Sequence, residues 1–281
     1  MATSSTQGNT LVTIIESFNY PLPSIQNGNS IDEDPDTHLS GSKAAQTDPP
    51  VFCAPLEKEC WVKLGHKTLQ SIRLPTEYLS LPEKAMVHMS EADVIRSAAI
   101  YLLHPINQVL YTISPSTTCL AERASKNVRS DICFIRGGTQ GRIFALVEFK
   151  RRGVIRPNEF RRASRQLTQD PNTQRAQINQ CVQAAMNEDQ KTFFTGNSFK
   201  LIKQAAAYAI DSGTRYVALF NWDYLVLIHF GGINPGLVVE VLEAQGVGPY
   251  CDITMIPNSP RSADIRPALL GFLVRAYQDT P

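Results

Sequence analysis

Residues 130–152, SDICFIRGGTQGRIFALVEFKRR, are the stretch whose reading decides the fold. Two apolar runs, 132–135 and 143–149, flank the turn-forming Gly137-Gly138-Thr139-Gln140-Gly141. Apolar, β-branched-rich runs on either side of a glycine-rich turn predict a β-hairpin. With the turn centred between Thr139 and Gln140, antiparallel pairing sets Asp131 opposite Glu148, their Cβ atoms about 5 Å apart. Lys150 shares that face, and Phe149 points to the other. Two carboxylates this close repel and raise one another's pKa unless a cation lies between them. Mg²⁺, a hard ion with oxygen ligands, meets that need. A salt-bridged face of an amphipathic hairpin is the competing reading. A one-residue slip in register would also turn Asp131 to the wrong side.

At 281 residues, 43% hydrophobic and 19% charged, the composition is that of an ordinary globular protein with room for a sizeable core. No apolar run reaches the length of a membrane span, which excludes a membrane partner at this level of reading. The start, MATSSTQGNT, lacks the basic-then-apolar pattern of a secretory signal. The six cysteines show no zinc-site spacing and read as reduced thiols. Together these point to an intracellular setting, nucleus or cytoplasm.

The net charge of +1 hides an uneven distribution. Residues 1–50 carry six acids and one base, are rich in Ser, Thr, Asn, Asp and Pro, and most of them read as a disordered acidic arm, with Leu11–Ile15 a short apolar segment that could dock on a partner or on the body of the protein. Residues 51–281 read as the folded domain. From Arg142 to Arg175 nine bases stand against three acids, with Arg151, Arg152 and Arg156 directly following the hairpin. Such a footprint suits a polyanion, and a solvated helix face would look the same.

Along the chain, residues 51–89 give short apolar runs broken by proline and no assignable role. Ser90-Glu91-Ala92-Asp93 is a capping box opening a helix that Pro105 should end or kink near Leu103 or His104. Asp93 serves the cap, which leaves Glu91 free to reach a metal. Residues 158–186 read as a polar helical stretch interrupted at Asp170-Pro171, either a lid or a solvated insertion. In 198–213, SFKLIKQAAAYAIDSG, Ser198 can cap a helix and Gly213 can stop it. Gln204 and Tyr208 share one face of it among alanines. Buried, that pair needs partners; on a solvent face it needs none. Residues 215–220 and 225–230 read as a strand pair, 237–241 and 253–256 as weaker strands, and 264–277 as a closing helix. His104 and His229 read as packing histidines rather than ligands.

The order is helix with Glu91, strand with Asp131, strand with Glu148-Phe149-Lys150, helix with Gln204 and Tyr208, then two strands. It resembles the PD-(D/E)XK nuclease superfamily, in particular the RecB- and lambda-exonuclease-like branch with a QxxxY helix. The likeness covers roughly residues 90–230. Ser130 stands where the signature has proline, and no Gly-x-x-x-x-His motif precedes Glu91. The resemblance implies an α/β fold, a restriction-endonuclease-like mixed β-sheet core flanked by helices. It also implies Mg²⁺ (or Mn²⁺) held by Asp131, Glu148, the Phe149 carbonyl and Glu91. Lys150 would orient water or stabilise developing charge, and Gln204 and Tyr208 would order the site. The partner expected is nucleic acid, DNA before RNA, with Arg151, Arg152 and Arg156 on its backbone. The alternative is a catalytically silent or repurposed nuclease-fold protein that binds nucleic acid, a protein partner or a small molecule.

Overall fold

The computed structural model describes residues 11–28, 35–39, 42–74, 78–80, 86–124 and 129–281. The chain opens with β1 (Leu11–Thr13), α1 (Ile14–Ser17), β2 (Gln26–Asn27), α2 (Ser42–Gln46), β3 (Phe52–Pro55), α3 (Glu59–Gln70), β4 (Tyr78–Ser80) and β5 (Val87–His88). It continues through α4 (Glu91–Ala98), a π-helical turn (Ala99–Leu103), α5 (His104–Ile113), β6 (Thr118–Ala124), β7 (Arg129–Arg136), β8 (Arg142–Phe149), α6 (Pro157–Ala163) and α7 (Pro171–Ala185). The last elements are α8 (Gly196–Ser212), β9 (Tyr216–Phe220), β10 (Tyr224–His229), α9 (Val239–Gln245), β11 (Tyr250–Pro257) and α10 (Ile265–Asp279). Seven strands form one mixed sheet in the order β3-β11-β10-β9-β8-β7-β6. The pairs β8/β9 and β11/β3 are parallel and the others antiparallel. The protein is thus a mixed α/β fold with helices on both sheet faces. One face packs under α3, α5 and α10, the other under α6, α8 and α9. β8, central and covered on both faces, is apolar from Ile143 to Val147.

The hairpin holds a structural detail that its sequence does not announce. Gly137 and Gly138 take φ of +87° and +77°, left-handed values that glycine adopts without strain. Arg136 pairs with Arg142, so the turn centres on Thr139 rather than between Thr139 and Gln140. Continued unchanged, that register would set Glu148 opposite Ser130 and turn Asp131 to the other face. A β-bulge intervenes. Ile135 faces Ile143 but Phe134 faces Ala145, leaving Phe144 as the extra residue. Phe144 and Ala145 both enter the α10-side core, and beyond them Ile132 pairs with Val147. The register expected at the site is therefore reached through the bulge.

Several expectations need correction. Residues 11–28 are not a detached arm: Val12, Ile14, Phe18, Leu22 and Ile25 are buried in the core cluster beneath α10. Apolar burial outweighs the polar composition of the first fifty residues there. Residues 1–10 and 29–34 lie outside the described ones. Of the two outcomes expected at Pro105, an end or a kink, the structure has an interruption of α-helical geometry at Leu103/His104. The chain passes through the π turn into α5, since a missing N–H in the first turn of the following segment can be absorbed by a wider turn. α8 is capped by Thr195, not Ser198, which occupies the third helical position of the same capping box. Residues 239–245 are helical rather than a strand, since the short apolar run also fits a helix packed beside α8. The unassigned stretch 51–89 supplies the edge strand β3 and helix α3. All six cysteines are free thiols. No helix among the described residues is long and apolar enough to cross a membrane.

Candidate active site

The end of β8 carries Glu148, Phe149 and Lys150 into the space between β7, α8 and the start of α4. Glu148 and Lys150 are only 4% and 6% exposed, so both charges leave water on folding and must find partners inside. Glu148 Oε1 accepts three hydrogen bonds: from Lys150 Nζ at 2.7 Å, Gln204 Nε2 at 3.0 Å and Tyr208 OH at 3.1 Å. Gln204 Nε2 also donates to Tyr208 OH at 2.5 Å. The alanines of α8 make this possible, because Ala205, Ala206, Ala207 and Ala209 are buried and let the helix axis lie close to the sheet. The solvent-face reading of Gln204 and Tyr208 is excluded, since both are buried.

Asp131 stands beside Glu148. Its backbone N–H donates to Glu148 Oε2 at 3.4 Å, and its own Oδ2 accepts from Phe149 N–H at 2.7 Å. Glu91, in the first turn of α4, brings Oε2 to 3.9 Å from Lys150 Nζ. The cap beneath it is the expected one, with Asp93 Oδ2 accepting from Ser90 N–H at 2.9 Å. Lys150 N–H donates to Phe220 O at 2.9 Å, which anchors the strand end to β9.

The electrostatics follow from burial. Loss of water pushes the Glu148 carboxyl up to about 7, against the pull of Lys150 and with the Asp131 carboxylate adding to the rise. Burial raises Glu91 as well, Lys150 opposing and Asp131 reinforcing. For Lys150 burial works downward, yet the carboxylates of Glu148 and Glu91 outweigh it and hold the ammonium above its ordinary value. Lys150 is therefore a fixed positive charge rather than a base.

Glu91, Asp131, Glu148, Lys150, Gln204 and Tyr208 thus converge, although they are spread over nearly 120 positions of sequence. The basic residues after the hairpin divide differently. Arg152 is spent on Asp223, to which Nη2 donates at 2.6 Å, and on Ile25 O at 2.7 Å. Arg156 reaches Glu159 Oε1 at 3.2 Å and Pro35 O at 2.9 Å. Both arginines hold the N-terminal segment to the domain. The backbone of Arg151 lies against the Glu91 carboxylate. Asn221 escaped the sequence reading. Wholly buried at the end of β9, its Oδ1 accepts from the N–H of Asp223 and Tyr224, and its Nδ2 has no acceptor among the described residues. An Asn opening the short link between two strands was the available signal.

Among the described residues no three His, Cys, Asp or Glu side chains cluster as a ready-made metal cage. What fold and site define together is a mixed α/β protein with a buried carboxylate–ammonium centre at the end of its central strand. No family model, curated protein or solved structure matches the chain.

Proposed function

We propose that the chain is a metal-dependent nuclease of the PD-(D/E)XK type with a restriction-endonuclease-like core. The observation that carries this reading is the meeting of Asp131, Glu148 and Lys150 at one strand end. Gln204 and Tyr208 hold the shared carboxylate there. The donor chemistry fits Mg²⁺ or Mn²⁺. Mg²⁺ keeps several waters and takes only one or two protein carboxylates, so a full cage of three is not required. Asp131 and Glu148 would supply those carboxylates, with the Phe149 carbonyl beside them and Glu91 on the far side of Lys150. When bound, the ion supplies Lewis-acid activation of water and neutralises charge on a phosphodiester.

The chain's own residues do the rest. The three donors on Oε1 fix the Glu148 carboxylate in one orientation. Lys150, kept protonated by its two acidic neighbours, offers an ammonium to negative charge developing on a phosphate oxygen. Arg152 donates to Asp223 and Ile25 O and Arg156 to Glu159 and Pro35 O, so a phosphate contact from either would use its remaining N–H groups. The experiment is incubation with single- and double-stranded DNA and RNA, with and without Mg²⁺ or Mn²⁺, beside Glu148→Gln. Metal-dependent cleavage lost in the variant supports the reading; cleavage indifferent to metal and to Glu148 overturns it.

The engagement of Lys150 between Glu148 and Glu91 favours a second reading, a silent module of the same fold. Binding of nucleic acid without cleavage in either metal would select it.

A further inference from the structure

A cavity lies on the other sheet face, at the end of β9 remote from Glu148, where Tyr216 and His229 pair across β9 and β10. Its origin is the mismatch between α3 and α10. These helices pack through glycines: a Cβ on Gly65 would meet Pro267 O at 2.0 Å, and one on Gly271 would meet Trp61 O at the same distance. Antiparallel packing at that register leaves the last turn of α10, Arg275 to Asp279, running beyond the start of α3 at Glu59. The space left under that overhang has a volume of about 430 Å³. A site for a small molecule needs a volume of this order.

The lining is divided. Trp61 and Leu64 form an apolar wall, and Trp61 is fixed in place by its Nε1 donating to Thr254 Oγ1 at 2.9 Å and by its edge contact with Phe272. Opposite stand Arg215, His229, Arg275 and Asp279. Asp279 is already taken: Arg275 Nε donates to it at 3.1 Å, and so does the Tyr216 hydroxyl. Arg215 differs. Its Nε is pinned to Ile233 O at 2.5 Å, and it forms no ion pair among the described residues. His229 is oriented by Nδ1 bonding Asp252 Oδ2 at 3.0 Å, behind the ring and outside the lining, which leaves Nε2 without a protein partner among the described residues. One uncompensated guanidinium, one oriented imidazole and a flat apolar wall make a recognisable combination.

We propose that this cavity binds a small monocarboxylate with a flat apolar body. The carboxylate would lie against Arg215, beside the His229 ring, and the body against Trp61 and Leu64. A single unpaired guanidinium matches a single negative charge, and its planar fork suits a carboxylate. The site shares no residue with the carboxylate–ammonium centre and does not depend on the reaction proposed there.

The test is NMR of the full chain, following the His229 imidazole during titration with benzoate, acetate and inorganic phosphate. Benzoate should saturate the shift at a concentration at least tenfold below acetate and phosphate. Arg215→Gln and Leu64→Glu, each shown folded by circular dichroism, should weaken benzoate at least tenfold, and Glu148→Gln should leave it unchanged. Failure of benzoate to saturate, equal saturation by acetate or phosphate, or wild-type affinity in both pocket variants would each overturn the proposal.

Discussion

Lys150 and Arg266 are the two buried cations among the described lysines and arginines, and they are solvated in opposite ways. Arg266, 1% exposed, meets backbone carbonyls: Nε donates to Tyr101 O at 2.5 Å, and Nη1 to Ser17 O at 2.9 Å and Tyr20 O at 3.0 Å. Ser17 O also accepts from Tyr20 N–H at 3.2 Å, where α1 gives way to a turn. Pro105 lacks the N–H that would answer Tyr101 four residues back, and Ser17 closes the short α1. With dipoles alone around it, burial pulls the guanidinium down to about 10. Lys150 is instead surrounded by carboxylates that hold it up, and one of them, Glu91, has its side chain 44% exposed. A cation ringed by carbonyls fastens segments together. A cation set among carboxylates beside an opening can trade partners with an incoming anion or metal.

The sharpest way to break this contrast is to remove each charge and measure both activity and stability. Lys150→Ala and Glu148→Gln should each lower metal-dependent cleavage by about 10³-fold, roughly 4 kcal/mol of transition-state stabilisation, with the fold retained. A variant of either residue cleaving at the wild-type rate would remove it from the chemistry. Arg266→Met should do the reverse. It removes three hydrogen bonds, although Ser17 O keeps the Tyr20 N–H and Tyr20 O is only part-buried, so denaturant unfolding should show a loss of roughly 2 kcal/mol or more, while cleavage per folded molecule stays unchanged. A fully stable Arg266→Met protein would mean that the N-terminal segment needs no fastening.

A smaller effect tests the structural side by pH. His88, buried against Trp222 with Nε2 on Ser97 Oγ at 2.8 Å, is lowered from 6.5 to about 4 by burial, with Arg152 adding to the shift. Because the unfolded chain takes up this proton first, the contribution is complete above pH 6.5. It is lost as pH falls toward 4. The slope attributable to one histidine is at most about 1.4 kcal/mol per pH unit, and His88→Gln should remove it. An unchanged slope in the variant would place the acid sensitivity elsewhere. The smallest change is expected from Tyr208→Phe, which deletes one of three donors to Glu148 and should cost about 1 kcal/mol of stability in a melt. Loss of several times that amount would make Tyr208 the main support of the carboxylate.

Much of the site was legible along the chain. The glycine-rich turn between apolar runs specifies a hairpin, and period-two alternation ties Glu148 to Lys150. The helical four-residue spacing ties Gln204 to Tyr208, and the Ser90–Asp93 box locates the helix that presents Glu91. These are local rules, set by backbone geometry within one element. The strands and helices after Gly213 were legible for the same reason, residues 239–245 excepted.

What only tertiary structure decided is every relation between distant segments. The bulge at Phe144 exists because two successive residues, Phe144 and Ala145, are taken by the same core, and without it Asp131 would not face Glu148. Arg266, almost 250 positions away, helps tie residues 11–28 down by donating to Ser17 O and Tyr20 O. Arg152 and Arg156 looked like phosphate contacts from their charge, and in space both also hold the N-terminal segment, through Ile25 O and Pro35 O. Sequence determines which groups must be satisfied on burial. The packed chain alone determines which partner satisfies each one, because that choice is made across gaps of sequence that no local pattern spans.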